Sequence, residues 1–201
     1  MRTHRTDLTT ADVRAAGPAV VRSGPAAAQT VVVLDPWGEA KHAGLPATWR
    51  PLTEDVHVVW WRLPAAARAG LTNGALTGEL ADVEGPVHVV GADDAAPLAL
   101  SLAAHHLDQV RSVVLVGQHV PDGDTHGVAV RLVPGGSIHS THLPLGHPDV
   151  VTEVLQALMD DVTPAGSPMP ETGSLAQDAV GAVATRLGEL VSDLLGRHRA
   201  G

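Results

Sequence analysis

Short, nearly unbroken runs of β-branched residues constrain this chain more than anything else in it. Thr30–Leu34 reads TVVVL, Val56–Trp61 reads VHVVWW, Pro86–Val90 reads PVHVV and Ser112–Val116 reads SVVLV. A strand with one wet face alternates apolar and polar residues, whereas a parallel strand covered on both faces is apolar throughout. These runs therefore predict the centre of a parallel sheet. Further strands are expected at Ala19–Arg22 and Val128–Val133, making about six. Between strands, Ala95–His106 sets Leu98, Ala99 and Leu102 at helical spacing. Pro148–Met159 likewise aligns Val150, Val151, Val154, Leu155 and Leu158 on one helix face. Strands alternating with helices predict a doubly wound, mostly parallel α/β sheet.

That sheet must be packed without the usual large aromatics. The 201 residues include four Trp but no Phe and no Tyr, so Val, Leu and Ala fill the core and no phenol can serve as an acid. Trp60 and Trp61, adjacent on one strand, must point to opposite faces, one into the core and the other a candidate pocket lining. Cysteine is absent, which excludes disulfides and a thiol nucleophile. The net charge is -9 and Lys41 is the only lysine, so no nucleic-acid partner is expected. The N-terminal MRTHRTDLTTADVRAAG has no apolar core of a signal peptide, and no apolar run is long enough to span a bilayer. No membrane partner and a cytoplasmic location are expected.

Residues 1–161 read as one domain, followed by a Pro/Gly-rich linker at 162–173 and an appended C-terminal helix within 174–201. Ser174 is a suitable N-cap for that helix. Its apolar residues Ala176, Val180, Val183, Leu187, Leu190 and Leu194 follow a coiled-coil seam, which either docks on the chain's own sheet or joins two copies as a homodimer.

The chemistry concentrates in Pro86–Gly117, PVHVVGADDAAPLALSLAAHHLDQVRSVVLVG: a strand, a tight turn, a helix that opens on small residues, and another strand. This segment resembles the nucleophile elbow of the α/β-hydrolases, in which small residues two positions either side of the nucleophile let strand and helix approach. Gly91 and Ala95 are those neighbours, and Asp93 holds the nucleophile position. An aspartate there is similar to the epoxide hydrolase and haloalkane dehalogenase branch. The resemblance implies a carboxylate that attacks carbon, and a histidine-activated water that cleaves the resulting ester.

The resemblance extends over roughly residues 18–160. Thr30–Gly38, TVVVLDPWG, resembles the strand and His-Gly-x-Gly loop of the family, which implies Trp37 as one oxyanion donor beside the Asp94 backbone N–H. Asp35-Pro36 in place of His-Gly is a departure. VRLVPGGSIHSTHLPLGHPDVV resembles the last strand and the histidine loop. It implies His142 as the base, with His139 and His147 as neighbouring alternatives, and Pro148 at the first helical position. The segment after Gly117 is too short for the family's cap and acid-bearing strand, which leaves Asp124 or Asp122 as substitute acid.

Each residue also has a plainer reading. Asp93 and Asp94 suit the start of a helix, where negative charge is favoured. His105 and His106 suit a helix end. His119, Asp122, Asp124 and His126 cluster in sequence, but match no metal-ligand spacing, so neither a metal nor another cofactor is expected. Taken together, the resemblance implies a cap-less hydrolase with a shallow, wet site for a small-molecule substrate, a small ester or related electrophile. The alternative is a catalytically inactive hydrolase-like binding scaffold, dimeric through its last helix.

Overall fold

Six strands form one open sheet in the computed structural model, which describes residues 10–40, 44–117, 127–134 and 143–162. They are β1 (Val20–Ser23), β2 (Thr30–Asp35), β3 (His57–Arg62), β4 (Val87–Ala92), β5 (Val110–Gly117) and β6 (Ala129–Pro134). Their order is β1-β3-β2-β4-β5-β6, and every pair is parallel except β1 with β3. All six expected strands are present, displaced by no more than two residues at either end. The linker and the C-terminal helix expected beyond residue 161 lie outside the described residues.

Burial explains the unbroken runs. Every residue of β2 and of β4 is buried, because helices cover both faces. On one face lie Val31, Val33, Trp60, Val90 and Val114, packed against α5 (Pro148–Val162) and a 3-10 segment at Ala47–Glu54. The apolar stripe of α5, Val150, Val151, Val154, Leu155 and Leu158, is fully buried there. Val32, Leu34, Val59, Trp61, Val89 and Val113 occupy the other face, under α3 (Asn73–Ala81) and α4 (Ala96–His105). Trp60 and Trp61 do point to opposite faces, but both belong to the core; the expectation that one lines a pocket is not met. Trp60 stacks edge-to-face on Trp49 with ring centroids 5.2 Å apart, so two of the four tryptophans supply bulk that Phe would otherwise provide.

Two short helices that the sequence pattern did not announce, α2 (Leu63–Arg68) and α3, follow β3 and carry the chain back beneath the sheet. A further helix, α1 (Thr10–Ala15), precedes β1. Chain direction then fixes where a ligand can enter. From β2 the chain winds outward to β3, crosses back over β2, and winds the other way through β4, β5 and β6. The loops leaving β2 and β4 therefore part at the carboxyl edge, at a topological switch point where open α/β sheets hold their ligands.

Glycine sets the spacing at this edge. A Cβ on Gly91 would stand 2.7 Å from Ala99 Cβ and 3.2 Å from the Ala95 carbonyl, so α4 rests directly on β4. Gly78, inside α3, faces open space. Gly91→Ala is expected to destabilise the protein by about 1–3 kcal/mol through overpacking, whereas Gly78→Ala is expected to stabilise it by about 0.5–1 kcal/mol through helix propensity. Urea denaturation of the two variants beside the wild type checks both signs.

At the opposite edge, His57 opens β3 beside the Thr30 hydroxyl, with 3.3 Å between Thr30 Oγ1 and His57 Nδ1. Burial, and secondarily the Arg22 guanidinium on β1, hold its imidazole below the ordinary 6.5. The folded state thus binds the proton less readily than the unfolded chain. The associated stability is complete above about pH 6.5, declines as the unfolded chain protonates, and levels off below the lowered folded value. His57→Gln is expected to flatten this part of the stability profile between about pH 7.5 and 5, measured by urea midpoints across that range.

Candidate functional site

The turn at the end of β4 carries the clearest local strain. Asp93 has φ +40°, and no other residue apart from glycine has a positive φ among the described residues. A left-handed conformation costs an L-residue about 1–2 kcal/mol, so packing must impose it here. The chain leaves β4 at Ala92, makes one 3-10 turn over Asp93–Ala95 and enters α4 at Ala96, with Pro97 in its first turn. Gly91 and the buried Ala95 give the clearance described above. This is the strand-to-helix turn geometry expected of an elbow, with Asp93 at its apex.

Gly117 completes the seat, and the sequence reading took it only as the end of a strand. A Cβ there would stand 3.0 Å from Asp93 Oδ1, so the carboxylate lies over the end of β5 and an alanine would crowd it. Asp93 is half-buried and Asp94 exposed. The N-cap positions of the 3-10 turn and of α4 are Ala92 and Ala95, which have no side chain to cap with.

Across the switch point, Asp35 ends β2 fully buried. Its carboxylate accepts the backbone N–H groups of Trp37 (2.9 Å), Gly38 (2.7 Å), Glu39 (2.5 Å) and Ala40 (3.3 Å), and the Trp60 indole N–H (2.8 Å). Burying a carboxylate is costly unless it is hydrogen-bonded, and these donors meet that requirement. The loop is wound tightly enough that Gly38 has φ +68°, with the Arg14 carbonyl 2.5 Å from where its Cβ would be. The expectation for Trp37 meets a competing bond here: its N–H, expected to face a reacting oxygen, is directed to Asp35 Oδ1.

Glu39 emerges from this loop and reaches the far end of the chain. Its Oε1 accepts the Leu145 N–H at 3.0 Å and its Oε2 accepts the Gly146 N–H at 3.1 Å. The same turn is held from another side by the Trp49 indole N–H on the Leu145 carbonyl and the Thr48 hydroxyl on the Gly146 carbonyl, each at 2.8 Å. Sequence reasoning missed Glu39, because nothing local distinguishes it from a solvated surface acid.

The expected base, His142, and the expected acids, Asp122 and Asp124, lie outside the described residues, as do His119, His126 and His139. His147 is described. Its Nδ1 lies 3.2 Å from the Asp149 backbone nitrogen and 3.5 Å from the Asp149 carboxylate, contacts at the start of α5. Pro148 opens α5 as expected. His105 Nδ1 lies 2.6 Å from the Ser101 carbonyl one turn earlier, a local helix-end contact. Among the described residues no three His, Asp or Glu side chains converge as metal ligands, and no helix is long and apolar enough to cross a membrane.

Replacing Asp35 tests the loop's dependence on one carboxylate. Asp35→Asn is expected to lower stability by about 3 kcal/mol, because the amide cannot satisfy the same donors. Urea denaturation reads the loss, and altered backbone amide resonances at Trp37–Ala40 localise it.

No protein-family model matches the chain, and no curated protein matches it in sequence. Among solved structures it is similar to a membrane phospholipase A described as a bacterial virulence factor, at 20% identity over 89% of this chain and 59% of that one, with TM-score 0.35. It is also similar to a hydrolase from Oleispira antarctica, at 11% identity over 94% and 71% with TM-score 0.37, and to an epoxide hydrolase from Vigna radiata, at 14% over 85% and 63% with TM-score 0.33. The chain spans about three fifths of the phospholipase's length. The sheet order, its antiparallel first strand and the turn after β4 together give this chain an α/β-hydrolase fold.

Proposed function

We propose that the chain is a small hydrolase in which Asp93 is the nucleophile, acting on a small ester or related electrophilic substrate. The observation that carries this reading is the left-handed backbone of Asp93 at the switch-point end of β4, with Gly91 and Gly117 cleared around it. A capping or surface aspartate needs no such strain, and strained residues of this kind cluster at functional sites.

In the proposed reaction an Asp93 oxygen bonds to the electrophilic carbon, and the leaving group departs with the bonding electrons. Water then adds to Asp93 Cγ, with His142 taking its proton, and the ester bond breaks to release the product alcohol or acid. Asp124 or Asp122 would orient the imidazole. The Asp94 N–H is the first oxyanion donor. Trp37 can be the second only by loosening its bond to Asp35, and one donor of this kind is worth about 10²–10³ in rate.

The same Trp37–Asp35 bond favours a second reading, an inactive hydrolase-like scaffold, dimeric through residues 174–201. Turnover of a panel of activated esters, haloalkanes and epoxides separates the two. On the first reading Asp93→Ala lowers activity by roughly a thousandfold or more, and a single turnover in 18O-labelled water places the label on the Asp93 carboxylate. Full activity in Asp93→Ala would overturn the nucleophile assignment, and a wild type inert to the whole panel would favour the scaffold.

A further inference from the structure

We infer that residues 10–18 form a strap latched over the carboxyl edge of β2 and β3 by Arg62, and that this strap opens while the sheet and the loop after β2 stay folded. Arg62 ends β3 with only 1% of its surface exposed. Among the described residues no carboxylate pairs with it, and Asp35, its register neighbour on β2, gives its oxygens to the loop amides. The guanidinium donates instead to three backbone carbonyls of one short segment. Nη1 reaches Ala16 at 2.7 Å and Pro18 at 2.9 Å, and Nη2 reaches Arg14 at 2.8 Å, while Nε is buried with no hydrogen-bond partner. The Arg14 carbonyl lies in the last turn of α1, where carbonyls have no partner within the helix and a cation is favoured.

Two glycines shape the seat. Gly17 has φ +93°, and a Cβ there would stand 3.1 Å from Arg62 Nη1, so the segment bends around the guanidinium where glycine is needed. On the strap's other side the Arg14 carbonyl rests on Gly38 of the loop after β2, 2.5 Å from where a Cβ would be. The strap therefore lies between Arg62 and that loop, on the β3 side of the switch point.

Little else holds it down. Val13 is 51% exposed, and Arg14, Ala16, Gly17 and Pro18 are exposed as well. The main neighbour of α1 among the helices and strands is α2. A segment that buries so little apolar surface opens at a fraction of the free energy of global unfolding. Releasing the latch is opposed only weakly, because water takes over the donors and restores the hydration that burial removed from the charge. The loop beneath keeps its shape without the strap, since the Asp35 carboxylate holds the Trp37 to Ala40 amides from within. Opening thus uncovers Arg62 and the outer side of Gly38 at an edge that is already formed.

Native-state hydrogen exchange on the full chain, followed by NMR at rising urea below the unfolding transition, tests the strap. The Arg62 Nε–H and the Ala16 amide, which is bonded to the Val13 carbonyl, report its opening. Both are expected to exchange at least about a hundredfold faster than the Val32 and Val89 amides, and almost independently of urea. Gly17→Ala strains only the closed strap and is expected to speed both by roughly tenfold, with Gly38 and Val89 unmoved. Arg62→Lys, whose single ammonium cannot span three carbonyls, is expected to act in the same direction; where that variant does not fold, Gly17→Ala still decides. Exchange of Ala16 and Arg62 Nε–H in step with Val32 and Val89 would overturn the strap, and so would an Ala16 amide without protection in the wild type. Unchanged exchange in Gly17→Ala would overturn the latch, and Gly38 quickening together with Ala16 would overturn separate opening.

Discussion

The carboxyl edge of this protein hangs on one buried charge. Asp35 gathers four successive backbone amides and an indole from the neighbouring strand. Each orphaned buried donor costs about 1–3 kcal/mol, so winding the loop around this carboxylate satisfies amides that would otherwise oppose folding. Trp60, pinned by the same oxygen, stacks on Trp49, and Trp49 in turn donates to Leu145. Glu39, held by its amide, grips the same turn. The position of the last loop before α5 is therefore inherited, contact by contact, from the end of β2.

The elbow is held differently, by the absence of side chains. Asp93 adopts an unfavourable φ because Gly91 and Ala99 bring α4 onto β4 and leave only a tight turn between them. The strain of about 1–2 kcal/mol is offset by the burial of Ala95, Ala96, Ala99, Leu102 and Ala103 against the sheet, at roughly 25 cal/mol per Å² of apolar surface. Small residues are the common device. A chain without Phe or Tyr fills its core with Val and Leu where space is wide and with Ala and Gly where backbones must touch.

These two devices differ in how far they can be read from sequence. The strands were legible because continuous Val runs have no other comfortable place than a sheet covered on both faces, and the tight strand-to-helix turn because Gly91, Asp93 and Ala95 carry their signal within five residues. The 3-10 segment was not legible: ATWRPLTE contains Pro51, and its buried pair Trp49 and Leu52 is spaced by three, which suits a 3-10 turn but breaks a helical stripe. α3 hides behind two glycines. Asp35 was noticed as a departure from the family's loop, and an aspartate followed by open backbone amides is a known local competitor for them; that signal was available and pointed to self-satisfaction. Glu39 and the room made by Gly117 depend on residues distant in sequence, so no local pattern contains them.

The charge in the loop after β2 also bears on what chemistry the edge can support. A loop whose amides are open stabilises negative charge that develops only during reaction, while one already wrapped around a carboxylate has its dipoles spent on a permanent charge. In the proposed two-step reaction the demand is unequal. Displacement at a saturated carbon places the departing charge on the leaving group, away from Asp93, whereas hydrolysis of the Asp93 ester builds an oxyanion on Asp93 itself. In that proposed reaction, amides already bonded to Asp35 would therefore weigh on the second step. On that reading, the lifetime of the Asp93 ester is the quantity on which the filled loop after β2 would act.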